Sequence, residues 1–258
     1  GRTAVVIAMG ASIKGFGAAG VTAETELAPL ASVLLRAESA SSSEIEGITA
    51  GARALALGAL EEKAGPNTTL VTANVTAMQK AVALSDDISV ESVLAAHESL
   101  LTGHPYAEPG QLRTRQVWIG STVISPHTAS FVPPHHSLVP GLMADLIRFV
   151  HRVDLPVLVH VAIAHAQFET IHSFNDGNGR TGRTLVHAML RHADVTRRLT
   201  LPISAGLLTD TSAYFDALTH YRDGDIEPII EQFIVASSRA VTNGRELVAE
   251  LDAVHQRW

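Results

Sequence analysis

The 258-residue chain has no cysteine, which excludes disulfides and thiolate metal sites and makes a reducing compartment unremarkable. Aromatic residues are scarce at 5%, while alanine and leucine are abundant, a balance that favours helix over sheet. No uninterrupted apolar run is long enough to span a bilayer, and the apolar stretch over residues 4–11 lacks the flanks of a secretory signal. Positive charge is also in deficit. A formal net charge of −7 argues against a broad nucleic-acid surface but leaves room for a local basic pocket. There is no Gly-x-x-x-x-Gly-Lys run, hence no P-loop, and no His-Glu-x-x-His pair of zinc ligands. A cytoplasmic protein is expected. Gly1 in first place and a helical pattern still running at Trp258 read as a piece of a longer chain.

What is present is mostly helical periodicity. Residues 28–38 read as a helix with Leu30, Leu34 and Leu35 on one face, followed by a serine-rich cluster over residues 39–43. Further helices are expected over 50–63, 72–84, 90–101 (opened near Ser89), 139–153, 156–171, 179–193, 214–222 and 228–256. The stretch 156–171 is apolar nearly all round, as a buried central helix requires. Between residues 103 and 134, Gly, Pro and β-branched residues replace the helical period, and residues 116–121 fit a short strand or hairpin. The expectation is an all-α domain with one small β excursion.

The segment His172, Ser173, Phe174, Asn175, Asp176, Gly177, Asn178, Gly179, Arg180, Thr181, Gly182, Arg183 joins the two core helices. Gly177 and Gly179 permit positive φ and close backbone approach, and with Asn178 they fit an anion-binding nest at a helix N-terminus. Arg180 and Arg183 in the first helical turn are unfavourable for the helix dipole unless an anion sits there. Asp176 is a hard oxygen ligand suited to Mg²⁺ bridging phosphates, and His172 is suited to accept a proton near neutral pH. Singly, each residue fits an ordinary helix–loop–helix turn with a capping Asp and solvated arginines; together they fit phosphoryl transfer.

The segment resembles the Fic family motif, His-x-Phe-x-(Asp/Glu)-Gly-Asn-Gly-Arg-x-x-Arg, at every chemically assigned position. Pro109-Gly110, Arg113, Val117-Trp118-Ile119-Gly120, Phe131-Val132-Pro133-Pro134 and Phe168-Glu169-Thr170-Ile171 are similar to the family's flanks, so the resemblance runs from about Leu27 to Phe233. It implies a Fic-type helical bundle with a β-hairpin flap, and a protein adenylyltransferase that moves AMP from ATP to a Ser, Thr or Tyr hydroxyl. His172 would take the hydroxyl proton and Asp176 would hold Mg²⁺. The backbone of Gly177, Asn178 and Gly179 would stabilise phosphate charge, with Thr181 and Gly182 in the same nucleotide-binding turn. Arg180 and Arg183 would hold the β- and γ-phosphates. Many members carry Pro where this chain has Ser173, which implies a loop of altered rigidity.

Ser42, Glu46 and Gly47 are similar to the family's inhibitory pattern (Ser/Thr)-x-x-x-Glu-(Gly/Asn), which implies that Glu46 pairs with Arg183 and denies it to the γ-phosphate. Ser43 and Glu46 equally fit a capping box opening the next helix. By the same resemblance Ile119, Gly120, Ser121 and Thr122 would line the ATP side of the flap, along which the target segment binds by strand addition. Tyr214, Phe215 and Arg222 would line the base pocket, although Asn is frequent at the last position and aromatics at helical spacing are often core. His160, His165, His187 and His192 are read as structural, His135 and His136 as loop residues.

The organisation expected is an N-terminal helical region with the inhibitory pattern (1–65), a Fic core (66–235) and a C-terminal helix (236–258) leading toward a further extension. ATP as substrate and Mg²⁺ as cofactor follow from the resemblance, with a hydroxyl-bearing protein as partner. Self-modification and a homodimer stay open. Nucleic acid would enter only through an extension beyond Trp258. A Fic-fold phosphotransferase, a deAMPylase, and a nucleotide-binding regulatory module without turnover are the competing readings.

Overall fold

Two helices packed side by side at the centre of the protein meet at the loop that carries the motif. The computed structural model describes residues 24–50, 65–83, 85–120, 126–196 and 199–255. Among these residues the helices are α1 (Glu24–Ile45), α2 (Pro66–Ala83), α3 (Val90–Leu100), α4 (Val139–Val150), α5 (Val157–Ile171), α6 (Asn178–His192), α7 (Ile203–Leu208), α8 (Thr211–Arg222) and α9 (Glu227–His255). Helix α5 packs against α4, α6, α8 and α9, while α6 receives α1, α2 and α3 on its other sides. One hydrophobic cluster runs through them from Leu30 and Leu34 of α1 to Val241 of α9. Each fully buried aliphatic side chain in it contributes about 1.5–3 kcal/mol. None of the described helices is long and apolar enough to cross a membrane.

Local chemistry sets the helix ends. Ser89 and Ser92 form a capping box at the start of α3, and Asp210 caps α8 by accepting from the Ala213 amide at 3.0 Å. Pro140 in the first turn of α4 needs no amide partner. Helix α6 is polar in sequence, yet Asn178 and residues 180–190 are buried, because its polar residues line the site and the junctions with α1, α2 and α3.

Two expectations are corrected. The serine-rich cluster does not end the first helix: α1 continues to Ile45, with Ser39, Ser42 and Ser43 fully buried. Ser43 donates to the Ser39 carbonyl at 2.8 Å, and Asn74 of α2 donates to the same carbonyl at 2.9 Å. The small serines therefore let α2 approach closely and satisfy the polar groups this buries. Ser43 is thus a residue of the last turn of α1 and opens no capping box with Glu46.

The expected strand over 116–121 is also reduced. Among the described residues there is no strand, only a single antiparallel bridge between Ile119 and Phe131. Residues 121–125, including Ser121 and Thr122, lie outside the described residues, as do the helix expected over most of 50–63 and the apolar run at Val5.

Helices α7 and α9 cross at Gly206, where an added Cβ would lie 2.5 Å from the Ala236 backbone. Backbone cannot swing aside as a side chain can. Gly206→Ala is expected to destabilise the protein by about 1–3 kcal/mol, lowering the thermal midpoint by roughly 2–10 °C. An unchanged midpoint by circular dichroism would show that the crossing is looser than described.

Candidate active site

Helix α5 ends at His172, whose φ of 50° and ψ of 63° place it in the left-handed region that a non-glycine residue seldom adopts. Several groups hold it there. The nearly fully buried Arg113 donates from Nε to the His172 carbonyl at 2.8 Å and from Nη1 to the Arg115 carbonyl at 3.0 Å. Its Nη2 donates to the Pro134 carbonyl, and its backbone amide donates to the Ser173 carbonyl at 2.9 Å. Ser173 is fully buried and donates to Met143 Sδ at 2.8 Å. The rigidity that a proline at this position would supply comes here from Arg113.

The rest of the loop is clasped from inside and outside. Asn178 accepts from the Phe174 amide and donates to its carbonyl, both at 2.9 Å. His97 of α3 stacks on Phe174, with ring centroids 3.7 Å apart and planes 6° from parallel. Its Nδ1 accepts from the Gly110 amide at 3.0 Å, which leaves Nε2–H to donate to the Asp176 carbonyl, also at 3.0 Å. Asn175 donates to Glu108 at 2.6 Å, and Glu108 pairs with Arg115 at 2.7 Å. Neither His97 nor Glu108 was legible as a site residue. A lone histidine on an apolar helix face and a glutamate in a Gly/Pro-rich stretch carry no spacing signal.

Gly177, at φ 74°, turns the chain into α6, and its amide donates to Asp176 Oδ1 at 2.6 Å. No side chain caps α6, so its first amides are open to an anion. The Glu46 carboxylate lies beside this turn. An added Cβ on Gly179 would collide with Glu46 Oε1, so the absence of a side chain admits that oxygen. The same Oε1 accepts from Arg183 Nη2 at 2.7 Å. Arg183 also donates from Nε to Ser42 Oγ at 2.9 Å and from Nη2 to the Ser42 carbonyl at 2.6 Å. Burial opposes the Arg183 charge, but Glu46, Tyr214 and Glu169 outweigh it and hold the guanidinium above its ordinary value.

An open cavity of about 320 Å³ gathers His172, Asp176, Gly177, Asn178, Gly179 and Arg183 of the motif with Glu46, Ile119, Tyr214, Phe215 and Arg222. Gly120 adjoins Ile119 at the rim. Other expected residues do not line it. Thr181 looks toward α3, and Gly182 lies against Phe168 and Glu169. Arg180 is buried, and its Nε and Nη1 meet no acceptor among the described residues. Tyr214 is core, its hydroxyl 2.7 Å from His165 Nε2, whereas Phe215 is half exposed at the mouth. The Arg222 guanidinium lies 4.1 Å over the Phe131 ring. His160, His187 and His192 face Phe149, Glu38 and Ser85, which accounts for them structurally. Among the described residues no group of three or more His, Asp or Glu is placed to hold a metal.

Residues 87–190 match the Fic/DOC family. The chain carries a Fic domain. The chain is 26% identical over 159 residues to the protein adenylyltransferase fic-1 of Caenorhabditis elegans, a match covering 60% of this chain and 28% of that one. It is 27% identical over 169 residues to the protein adenylyltransferase Fic of Nematostella vectensis, covering 65% and 36%. The matches thus span about a third of these relatives' length. In structure it is similar to a Fic family protein from Desulfovibrio desulfuricans, with a TM-score of 0.73 at 26% identity over 95% of this chain and 74% of that one. A Fic-1 fragment from C. elegans shares the fold, with a TM-score of 0.72 at 19% identity over 96% of this chain and 74% of the other.

Burial holds His97 and His172 well below the ordinary imidazole value, at about 4 each, with Arg113 and Arg222 adding to the effect at His172. Burial, with Arg183, takes His165 to about 3. Between pH 6.5 and 4 the unfolded chain therefore binds protons at these positions that the Fic domain does not, so stability is lost as pH falls through that window. Glu169, raised to about 7 by burial and by Glu46, acts in the opposite sense between 4.5 and 7, but it is one group against three. The thermal midpoint is expected to fall on acidification from pH 6.5 to 4, and less steeply in His97→Asn. A flat profile would contradict the neutral, buried histidines.

Proposed function

We propose that this chain transfers AMP from ATP to a Ser, Thr or Tyr hydroxyl of a protein, and that Glu46 restrains it. The observation that carries this reading is the Glu46 carboxylate lying beside Gly179 in the first turn of α6 and paired with Arg183, in the same cavity as a neutral His172. A carboxylate paired with a buried guanidinium next to an uncapped helix N-terminus stands where a phosphate would be bound.

In this mechanism His172, uncharged at neutral pH, accepts the proton of the target hydroxyl. The hydroxyl oxygen then bonds to the α-phosphorus, and the bond to the bridging oxygen breaks to release pyrophosphate. The amides of residues 177–179 stabilise charge developing on the non-bridging oxygens. Asp176, exposed at the cavity edge, offers a hard oxygen fit for Mg²⁺, which when bound would neutralise the leaving pyrophosphate. Arg183 would hold the γ-phosphate once Glu46 withdraws, and Arg180, without an acceptor of its own, would serve the β-phosphate. The Ile119–Phe131 segment would seat an extended target by strand addition, and Phe215 and Arg222 would border the base. A cytoplasmic setting, where ATP and Mg²⁺ are plentiful, fits this chemistry.

Glu46→Gly is expected to raise incorporation of label from [α-³²P]ATP into protein, the chain itself included, by roughly 10²-fold. Glu46→Gly/His172→Ala should abolish it. Label retained from the γ-phosphate alone would replace this reading by phosphotransfer. Release of AMP from modified protein by the unaltered chain would assign Glu46 to the reverse reaction.

A further inference from the structure

The buried carboxyl of Glu169 has no part in the steps above, and its surroundings do not explain it as a structural group. It stands on α5 three residues before His172, and so on the same helix face. Only 7% of it is exposed, and its Oε1 meets no hydrogen-bond donor among the described residues. Such a group is costly to bury without a partner. Neither neighbouring cation bonds to it: Arg183 is engaged with Ser42 and Glu46, and Arg222 lies over Phe131 with its own buried Nε unpartnered among the described residues. The fold nevertheless makes room for it. Gly182 lies beneath, where an added Cβ would come within 2.9 Å of both Glu169 Oε1 and Phe168 Cδ1.

The placement suggests what the carboxyl meets. The amides of residues 177–179 form the phosphate end of the cavity, and α8 forms the opposite wall with Phe215, Leu218 and Arg222. Glu169 and His172, both from α5, lie in the same cavity alongside these two surfaces. In any nucleotide bound with phosphates at the nest and its base against α8, the sugar lies in between. Its hydroxyls are the donors a buried carboxyl lacks. We propose that Glu169 is a specificity-determining residue that accepts a hydrogen bond from a ribose hydroxyl of the nucleotide. The assignment rests on the nucleotide-transfer reading and names what the site selects: a sugar that keeps the hydroxyl Glu169 accepts from.

The test uses the Glu46→Gly chain with Mg²⁺ and compares ATP, 2′-deoxy-ATP and 3′-deoxy-ATP by titration calorimetry and by transfer of α-label. One deoxy analogue is expected to bind roughly 10- to 100-fold more weakly than ATP, the range for a hydrogen bond to a charged group. In Glu46→Gly/Glu169→Met, which suits the apolar helix, ATP should fall to the level of that analogue and the discrimination should vanish. Glu169→Gln, which keeps a neutral acceptor, should lie between and serves if the Met variant does not fold. A merely structural role would weaken all three nucleotides together and leave their ratio unchanged, which would overturn the proposal. So would equal binding of all three by the Glu46→Gly chain. Ribose discrimination without transfer of α-label would sink the transferase reading and leave Glu169 standing, whereas absence of any nucleotide binding would sink both.

Discussion

The structure depends on how the buried Arg183 guanidinium is satisfied. A cation with 2% of its side chain exposed needs an anion and several acceptors, and none of them comes from its own helix. The last turn of α1 and the residue just after it, some 140 residues earlier in the chain, supply Ser42 Oγ, the Ser42 carbonyl and Glu46. This requirement fixes where α1 lies. It also explains why serines there are fully buried, and why Asn74 reaches from α2 to the Ser39 carbonyl. One turn further along α6, His187 Nε2 lies 2.9 Å from Glu38, which also accepts from the Ser204 amide at 2.8 Å. Helices α1, α6 and α7 are thereby tied at a second buried polar point.

The reactive loop follows from a related constraint. A left-handed residue at the end of α5 turns the chain sharply enough for His172 and the first amides of α6 to share one cavity. That conformation costs energy in a non-glycine residue. Arg113 and His97 offset the cost by binding carbonyls on either side of Phe174. Both act through backbone groups, while Ser173 and Asn175 add side-chain bonds to Met143 and Glu108. The Ser173 carbonyl accepts from the Arg113 amide in the same turn.

These facts were unevenly legible in the sequence. The uniform apolarity of α5 declares a central helix and Gly177 the turn into α6, because periodicity and φ freedom are local properties. The Glu46–Arg183 pair followed only from resemblance, since no local rule links residues so far apart. The serine cluster was misread because serine is usually a surface or capping residue, whereas here two helices compete for its small volume and its hydroxyl. Helix α6 looks amphipathic and is buried almost throughout, its polar face turned to the site and to α1. The bridge at Ile119 fell short of a hairpin because strand propensity needs a partner ladder, and Phe131 supplies a single rung among the described residues.

On the proposed reading, the Glu46–Arg183 pair also sets how strongly Glu46 competes with a triphosphate. Both would be anions for the same guanidinium, so exchanging one for the other keeps Arg183 paired. What favours Glu46 is that it is tethered: its effective concentration at Arg183 follows from how firmly α1 is held, not from the strength of one carboxylate contact. If Glu46 restrains the site as proposed, the Asn74 and Glu38 anchors belong to the restraint as much as Glu46 does, because loosening either lowers that concentration. On the proposed reading, the restraint would thus be a property of the α1–α2–α7 packing and not of Glu46 alone.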